Sequence, residues 1–170
     1  KRVVMELFPD YKIDVQSPVP PLADRMRPEA WEMFAGQEHL VAEGLALREL
    51  IESGSQMSFI LWGPPGTGKT TLARISARFS DSEFHEISAV SAGVADIRKV
   101  IEGAHRTWKT QRKGTVLFID EIHRFNKAQQ DAVLPHIENG TVRLIGSTTE
   151  NPSFEVIPAL RSRCQTFRLE

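Results

Sequence analysis

Five short apolar runs along the chain predict the strands of a parallel β-sheet. The first of them is ended by a glycine and two prolines, which is typical of a buried strand that runs into a turn. Because the runs are largely apolar and helical patterns separate them, they favour a parallel sheet covered on both faces. The predicted strands are residues 58–62, 84–88, 115–119, 141–147 and 166–169.

Apolar residues at helical spacing predict helices between these strands. Residues 70–79 carry such a pattern directly after the first turn. A longer pattern follows the second strand and predicts one buried face of a long helix. That face consists of Val94, Ile97, Val100, Ile101, Ala104 and Trp108.

The start of one further helix is marked by its capping residues. Asn126 is followed three residues later by Gln129, and this spacing resembles a capping box. Pro135 lies inside the pattern that follows. Because proline cannot donate a backbone hydrogen bond, we expect it to kink or end that helix.

Composition and charge narrow the class of protein. Of 170 residues, 41% are hydrophobic and 25% are charged, which excludes wholesale disorder and predicts one domain with a sizeable core. The net charge of −1 gives no overall basic footprint, so any nucleic-acid contact must be local or multiplied by assembly. The single cysteine, Cys164, predicts a reducing, cytoplasmic compartment. No apolar run is long enough for a membrane helix, and no membrane partner is expected.

Two regions are expected along the chain. Residues 1–21 contain a proline-rich linker, and we interpret them as an N-terminal arm or a poorly ordered terminus. Residues 22–170 carry the alternating strands and helices, and form the predicted α/β domain.

A glycine-rich turn between the first strand and the next helix predicts a phosphate-binding loop. Its sequence fits G-x-x-x-x-G-K-[ST], and its strand–loop–helix context is the one that this motif requires. The glycines let backbone N–H groups converge on a triphosphate, Lys69 supplies a charge for the phosphates, and Thr70 supplies a hydroxyl for Mg²⁺. We therefore predict ATP and Mg²⁺ as ligands. The loop residues are Gly63, Pro64, Pro65, Gly66, Thr67, Gly68, Lys69 and Thr70.

Two adjacent acids end the strand at residues 115–119. In a parallel sheet they would open onto the same edge as the phosphate loop. Asp120 is predicted to hold Mg²⁺ together with Thr70, and Glu121 to orient and deprotonate an attacking water molecule. A simpler interpretation is that the two acids are placed there because the dipole of the next helix favours negative charge at its start. The presence of the phosphate loop argues against this interpretation.

With these motifs the sequence resembles the AAA+ ATPases, in particular the family of replication-associated recombination protein A and the Werner-helicase-interacting ATPase. The resemblance rests on the phosphate loop, on Leu-Phe-Ile-Asp-Glu, and on further matching segments. It implies a three-layer P-loop fold with a five-stranded parallel sheet. The further segments are residues 21–28, 36–40, 120–131 and 148–154.

The resemblance also implies roles for residues outside the two motifs. Thr149 matches the sensor-1 position, with Thr148 and Asn151 as close neighbours, and Arg163 matches an arginine finger, with Arg161 as a second candidate. The other implied residues are Thr71 for nucleotide binding, Ser88 for restraint of Glu121, and Arg25, Arg27 and residues 36–40 around adenine.

The family's lid would follow Glu170, so the resemblance implies an ATPase domain fragment that binds ATP weakly and hydrolyses it poorly alone. It implies single-stranded or forked DNA as a partner, homo-oligomers, contact with single-strand-binding protein or a helicase, and a place at the bacterial nucleoid. Two other functions are considered, namely a nucleotide-gated recruitment module without catalysis and, from Asp120-Glu-Ile-His123, a superfamily-2 helicase core.

Several polar residues are set aside. The five histidines, including His123, show no metal-ligand spacing, and His123 is interpreted as a polar loop residue. Lys109, Arg112 and Lys113 form a basic cluster, for which a solvated helix end is favoured over a nucleic-acid contact because cations favour helix C-termini. Trp108 fits the buried helix face, so base stacking is not invoked. Arg98 and Lys99 could add phosphate contacts in a ring of subunits.

Overall fold

Five strands form a single sheet in the computed structural model, which describes Leu22, residues 26–28 and residues 30–170. The strands are β1 (Ser58–Trp62), β2 (Glu83–Ser88), β3 (Thr115–Asp120), β4 (Arg143–Thr148) and β5 (Cys164–Arg168). All paired strands are parallel, and their order is β2-β3-β4-β1-β5. The predicted α/β class and all five predicted strands are therefore confirmed, with strand ends that shift by no more than two residues.

Helices connect the strands and cover both faces of the sheet. The two helices predicted over residues 70–79 and from Val94 are confirmed, and two 3₁₀ turns, Trp31–Met33 and Ile122–Arg124, add to them. The α-helices are α1 (Glu38–Val41), α2 (Ala46–Glu52), α3 (Lys69–Phe79), α4 (Val94–Gln111), α5 (Lys127–Glu138), α6 (Pro152–Glu155) and α7 (Pro158–Arg161).

Two hydrophobic cores lie on opposite faces of the sheet. Successive side chains of a strand point to opposite faces, so Phe59 and Leu61 enter one core while Ile60 enters the other. The first core is closed by α2 and α3, and the second by α4 and α5. This arrangement is the three-layer sandwich that the resemblance implies.

The parallel register brings the ends of several strands to one side of the sheet. Trp62 at the end of β1 pairs with Thr148 at the end of β4, and Asp120 ends β3 beside Ser88 of β2. We call this side the carboxyl edge and the opposite side the amino edge. The connections that leave β1, β3 and β4 all begin at the carboxyl edge.

The predicted buried face of α4 is wrong at its last turn. Ile97, Ile101 and Ala104 are buried as expected, but Trp108 is 54% exposed and Thr107 is buried in its place. The Thr107 hydroxyl donates a hydrogen bond to the Glu83 carboxylate at the start of β2. Because consecutive helical residues are rotated by about 100°, burial of Thr107 turns Trp108 away from the sheet.

Pro135 does not end α5, which continues to Glu138. Proline removes only its own N–H, and its carbonyl still accepts a hydrogen bond from the Asn139 backbone N–H at 3.1 Å. The last turn is therefore completed, and the chain leaves the helix at Gly140, where φ is +72°. The expectation that Pro135 ends the helix is thus corrected.

The predicted N-terminal arm, residues 1–21, and Arg25 lie outside the described residues. Within the described part of the chain, no helix combines the length and the apolar character needed to cross a membrane.

The capping box of α5 gives a test of the fold. The Asn126 side chain accepts a hydrogen bond from the Gln129 N–H, and the Gln129 side chain accepts one from the Asn126 N–H, both at 2.9 Å. Asn126→Ala should lower the free energy of unfolding by about 1 kcal/mol, because it leaves a helix N–H without its partner. Urea unfolding measures the change. The control Lys127→Ala, at an exposed neighbouring position, should change it by less than about 0.5 kcal/mol; equal effects of the two variants would contradict the assignment.

Candidate active site

The loop between β1 and α3 depends on glycine at three positions. Gly66 and Gly68 have φ values of +80° and +89°, which residues with a side chain rarely adopt. A Cβ at Gly68 would also lie 2.9 Å from the Phe34 ring, and a Cβ at Gly63 would clash with the Leu169 carbonyl oxygen. The loop conformation is thus fixed both by backbone strain and by close neighbours.

The loop is tied to the end of β4 and to itself. The Gly63 N–H donates to the Thr148 carbonyl at 3.1 Å, and the Thr67 hydroxyl donates to the Pro64 carbonyl at 2.9 Å. Helix α3 begins at Lys69, so its unpaired N–H groups and the positive end of its dipole face the loop. This geometry suits a phosphate group.

Lys69 is held at the loop by two backbone carbonyls. Its Nζ atom donates to the carbonyls of Gly63 and Pro64, each at 2.8 Å, and the residue is only 8% exposed. Burial lowers the pKa of Lys69, while the carboxylates of Glu121 and Asp120 act in the opposite direction. The ammonium group is therefore a desolvated cation close to two acids, and an entering anion would favour its charged form.

The structure brings the predicted loop and the predicted acids to one cavity of about 410 Å³, which we call the phosphate-loop cavity. Thr70 and Asp120, the two predicted magnesium ligands, both line it. So does Arg27, from the segment expected near adenine. The complete lining is Met26, Arg27, Pro28, Pro65, Gly66, Gly68, Lys69, Thr70, Thr71, Asp120 and Glu121.

The donor set of this cavity fits Mg²⁺. One hydroxyl and one carboxylate are hard oxygen ligands, and Mg²⁺ in phosphate sites takes one or two carboxylates and completes its shell with phosphate oxygens and water. Among the described residues, no group of three or more His, Cys, Asp or Glu side chains could cage a metal ion. Thr70 and Asp120 would therefore hold the ion jointly with a bound nucleotide.

Ser147 fixes the backbone and side chain at the end of β3. Its hydroxyl donates to the Asp120 carboxylate at 2.5 Å and accepts from the Glu121 N–H at 3.2 Å. Glu121 has a φ of +54°, in the left-handed region that costs a residue with a side chain roughly 1–2 kcal/mol. This turn directs the two neighbouring acids differently, with Asp120 bonded to β4 and Glu121 facing the residues that follow β4.

The Glu121 carboxylate is oriented by two side chains. The Thr149 hydroxyl donates to its Oε2 atom at 3.3 Å, and the Nδ1 atom of His123 lies 3.1 Å from the same oxygen. His123 Nδ1 is also 3.0 Å from the Thr148 hydroxyl, which donates its own hydrogen to the Glu150 carbonyl. A carboxylate oxygen accepts hydrogen bonds, so an Nδ1 atom that carries the ring proton donates to Glu121.

His123 is the contact that sequence reasoning missed. It was interpreted as a polar loop residue, yet its side chain is only 8% exposed. The sequence signal is its place two residues after Glu121, in the 3₁₀ turn Ile122–Arg124 that folds back on the end of the strand. Its partner Thr148 lies 25 residues further along the chain, so no local sequence pattern connects the two residues.

Neither of the two predicted arginine fingers is among the described residues that line the phosphate-loop cavity. Arg163 forms an ion pair with Glu138 at the end of α5 and donates to the Ala159 carbonyl at 2.8 Å. Arg161 donates to the Ser153 carbonyl. Cys164 packs against the second core, and burial raises the pKa of its thiol to about 12.

Two other predicted residues have local structural contacts. The Asn151 side chain accepts a hydrogen bond from the Ser153 N–H at 2.9 Å and so caps α6. Ser88 lies opposite Asp120 in the sheet. In the segment at residues 36–40, the Gln37 side chain accepts from the Glu170 N–H at 2.9 Å, which joins this segment to the chain end beside the loop.

Comparison with known proteins assigns the chain to a family. Residues 59–169 match the family described as ATPase family associated with various cellular activities (AAA). The solved structure of the Thermotoga maritima RuvB Holliday junction branch migration motor is similar, with a TM-score of 0.66, 34% identity, and coverage of 85% of this chain and 49% of that one. The segment Asp120-Glu-Ile-His123 is thus part of an AAA fold, and the superfamily-2 helicase interpretation is wrong.

Curated relatives are similar over most of the chain. Replication-associated recombination protein A of Escherichia coli is 55% identical over 88% of this chain and 33% of its own length. ATPase WRNIP1 of Dictyostelium discoideum is 52% identical over 88% of this chain and 17% of its own length. The chain therefore spans about a third or less of these relatives. The resemblance inferred from the motifs is confirmed, and the chain belongs to the AAA family of ATPases.

Proposed function

We propose that this chain binds ATP with Mg²⁺ in the phosphate-loop cavity and hydrolyses it, as the motor domain of a DNA replication, recombination and repair protein that acts at stalled forks. The observation that carries the ATPase part is the meeting of Lys69, Asp120 and Glu121 at one cavity. The DNA part is supported by the names of the relatives, which refer to replication-associated recombination and to Holliday junction branch migration.

The chain's own residues supply most of the chemistry. The loop N–H groups and Lys69 hold the phosphates, and Glu121 accepts a proton from the attacking water molecule. Thr149 and His123 fix the direction of the carboxylate, so the water is positioned before the reaction begins. Mg²⁺, held by Thr70 and Asp120, would neutralise charge on the phosphate oxygens.

A complete site would include a neighbouring subunit. In a homo-oligomer, Arg163 exchanges its ion pair with Glu138 for a phosphate of the adjacent site and acts as the arginine finger, which can be worth about 10³–10⁵ in rate. Activity of a single chain is then weak. Single-stranded or forked DNA, single-strand-binding protein or a helicase, and a bacterial nucleoid location belong to the same proposal.

Glu121→Gln separates hydrolysis from binding. Glutamine keeps the size and can still accept from Thr149 but cannot accept a proton, so phosphate release by the intact protein should fall by about 100-fold or more. ATP affinity, measured by thermal shift, should stay the same. The control Glu102→Gln, an exposed acid on α4, should leave the rate unchanged. An undiminished rate in Glu121→Gln would remove Glu121 from the catalytic role, whereas a wild-type protein that binds ATP without releasing phosphate would support the recruitment module.

Lys69→Ala tests the site of nucleotide binding. Loss of a charge-assisted contact to phosphate should weaken ATP binding by about 10- to 100-fold and remove the ATP-induced thermal shift. Lys127→Ala, an exposed lysine on α5, is the matched control. A thermal shift of wild-type size in Lys69→Ala would show that nucleotide binds elsewhere.

His123→Ala tests the orientation of Glu121. Loss of one hydrogen bond to a carboxylate should lower kcat by about 10- to 100-fold with little change in the KM for ATP. His123→Asn places an amide N–H at the position of Nδ1 and should restore part of the rate, whereas a merely structural loss would affect both variants alike. Steady-state phosphate release gives both constants, and an unchanged kcat in His123→Ala would refute the role.

A further inference from the structure

A second cavity, of about 590 Å³, lies at the amino edge of the sheet, and we call it the amino-edge cavity. Thr115 and Arg143, the first residues of β3 and β4, line it, together with Trp108 from the last turn of α4. Asp120 lies at the other end of the six-residue strand β3, about 17 Å away at 3.3 Å per residue. The amino-edge cavity is therefore separate from the phosphate-loop cavity.

An exposed aromatic side chain forms one wall of this cavity. Trp108 is 54% exposed, although most large aromatic side chains are covered in a folded domain. Arg112 ends α4 in the left-handed conformation, with a φ of +55°, and its N–H donates to the Trp108 carbonyl at 3.1 Å. This turn brings Arg112 and Lys113 to the same cavity as the indole ring.

The cavity is more basic than the chain as a whole. Arg112, Lys113 and Arg143 line it, and Asp81 is the one carboxylate in its described lining. Asp81 pairs with Lys113 at 2.8 Å on the exposed rim. The lining is thus net positive, in contrast to the net charge of −1 for the whole chain.

Buried donors near the cavity floor have no partner. Arg143 is 2% exposed, and its Nε atom donates to the Met57 carbonyl at 2.8 Å, but neither of its Nη atoms has a hydrogen-bond partner among the described residues. The Thr115 hydroxyl is also buried, and no described residue forms a hydrogen bond with it. Burial lowers the pKa of Arg143 to about 10, so the guanidinium group remains charged at neutral pH. Such groups are costly unless an acceptor completes them.

These features together match the chemistry of a nucleotide. A flat aromatic face suits a base, exposed cations suit backbone phosphates, and unpartnered donors suit phosphate or base oxygens. An acidic peptide would use the cations but leave the indole face unused. A membrane surface would need apolar insertion, whereas here charged side chains surround the tryptophan.

We propose that the amino-edge cavity binds single-stranded nucleic acid, with one base stacked on Trp108 and the neighbouring phosphates against Arg112 and Lys113. The inference rests on the proposed function, because it supplies the surface through which an ATPase of DNA maintenance holds a strand. It also reverses the interpretation of this basic cluster as a solvated helix end.

The test is a fluorescence titration of the chain with oligothymidylate. Stacking should quench tryptophan emission, and Trp108→Phe should abolish the quench while keeping most of the affinity, because phenylalanine still stacks. Trp31 and Trp62 remain in that variant as an internal reference. Trp108→Ala should weaken binding by about 10-fold.

The double variant Arg112→Asn and Lys113→Gln tests the phosphate contacts. It should reduce the slope of log affinity against log salt by about 1. Asparagine is chosen at position 112 because it tolerates the left-handed conformation.

Matched controls and a second ligand make the outcome decisive. Phe154→Ala removes an aromatic residue that is 83% exposed elsewhere, and Lys127→Gln removes an exposed cation; both should bind like the wild type. If Trp108→Ala keeps wild-type affinity, or if only Arg98→Gln with Lys99→Gln weakens binding, the proposal is overturned. Thymidine monophosphate is the second ligand. If it quenches Trp108 with the same affinity as the oligonucleotide, the ligand is a free nucleotide, and the proposal of a bound strand is overturned. The ATP-induced thermal shift, read in the same samples, reports separately on the proposed ATPase.

Discussion

The parallel register between β1, β3 and β4 is the constraint on which the candidate active site depends. Gly63, Asp120 and Thr149 are far apart in sequence, and each follows directly from, or ends, one of these strands. Because Trp62 pairs with Thr148 and the Gly63 N–H bonds to the Thr148 carbonyl, the loop and the segment that begins at Thr149 start from the same point. A slip of one residue would turn every side chain of a strand to the opposite face, so the two cores that hold the register also hold the site.

Electrostatics at the carboxyl edge follow from this arrangement. The start of α3 brings a positive helix end to the same place as Lys69, and the end of β3 brings two carboxylates. Desolvation makes the charged ammonium group of Lys69 less favourable, and the two acids act in the opposite direction, while its Nζ atom donates to the Gly63 and Pro64 carbonyls. The cavity thus offers one ammonium group to an anion and two carboxylates to a cation, as the proposed ATP with Mg²⁺ requires.

The features that could be predicted from the sequence are those set by local physics. Apolar runs identified all five strands, the Asn126–Gln129 spacing identified a helix start, and the G-x-x-x-x-G-K-[ST] pattern between a strand and a helix identified the loop. The missed features depend on tertiary contacts. His123 reaches Thr148 only because β3 and β4 pair, and the exposure of Trp108 goes with the burial of Thr107 against Glu83 of β2. The helical period alone places Trp108 on the buried face of α4, whereas the structure buries Thr107 and exposes Trp108.

The two edges of the sheet differ because parallel strands orient the connecting helices alike. The residues that directly follow α3, α4 and α5 all line the amino-edge cavity, namely Ser80, Arg112 and Asn139. Helix carboxyl ends carry partial negative charge and attract cations. Arg143 is buried at this edge with its guanidinium group 5.2 Å from the centre of the Phe59 ring, and helix ends of this polarity favour the basic side chains that gather there. The same polarity thus places a positive helix end at the carboxyl edge, where we propose a triphosphate, and cations at the amino edge, where we propose a nucleic-acid strand.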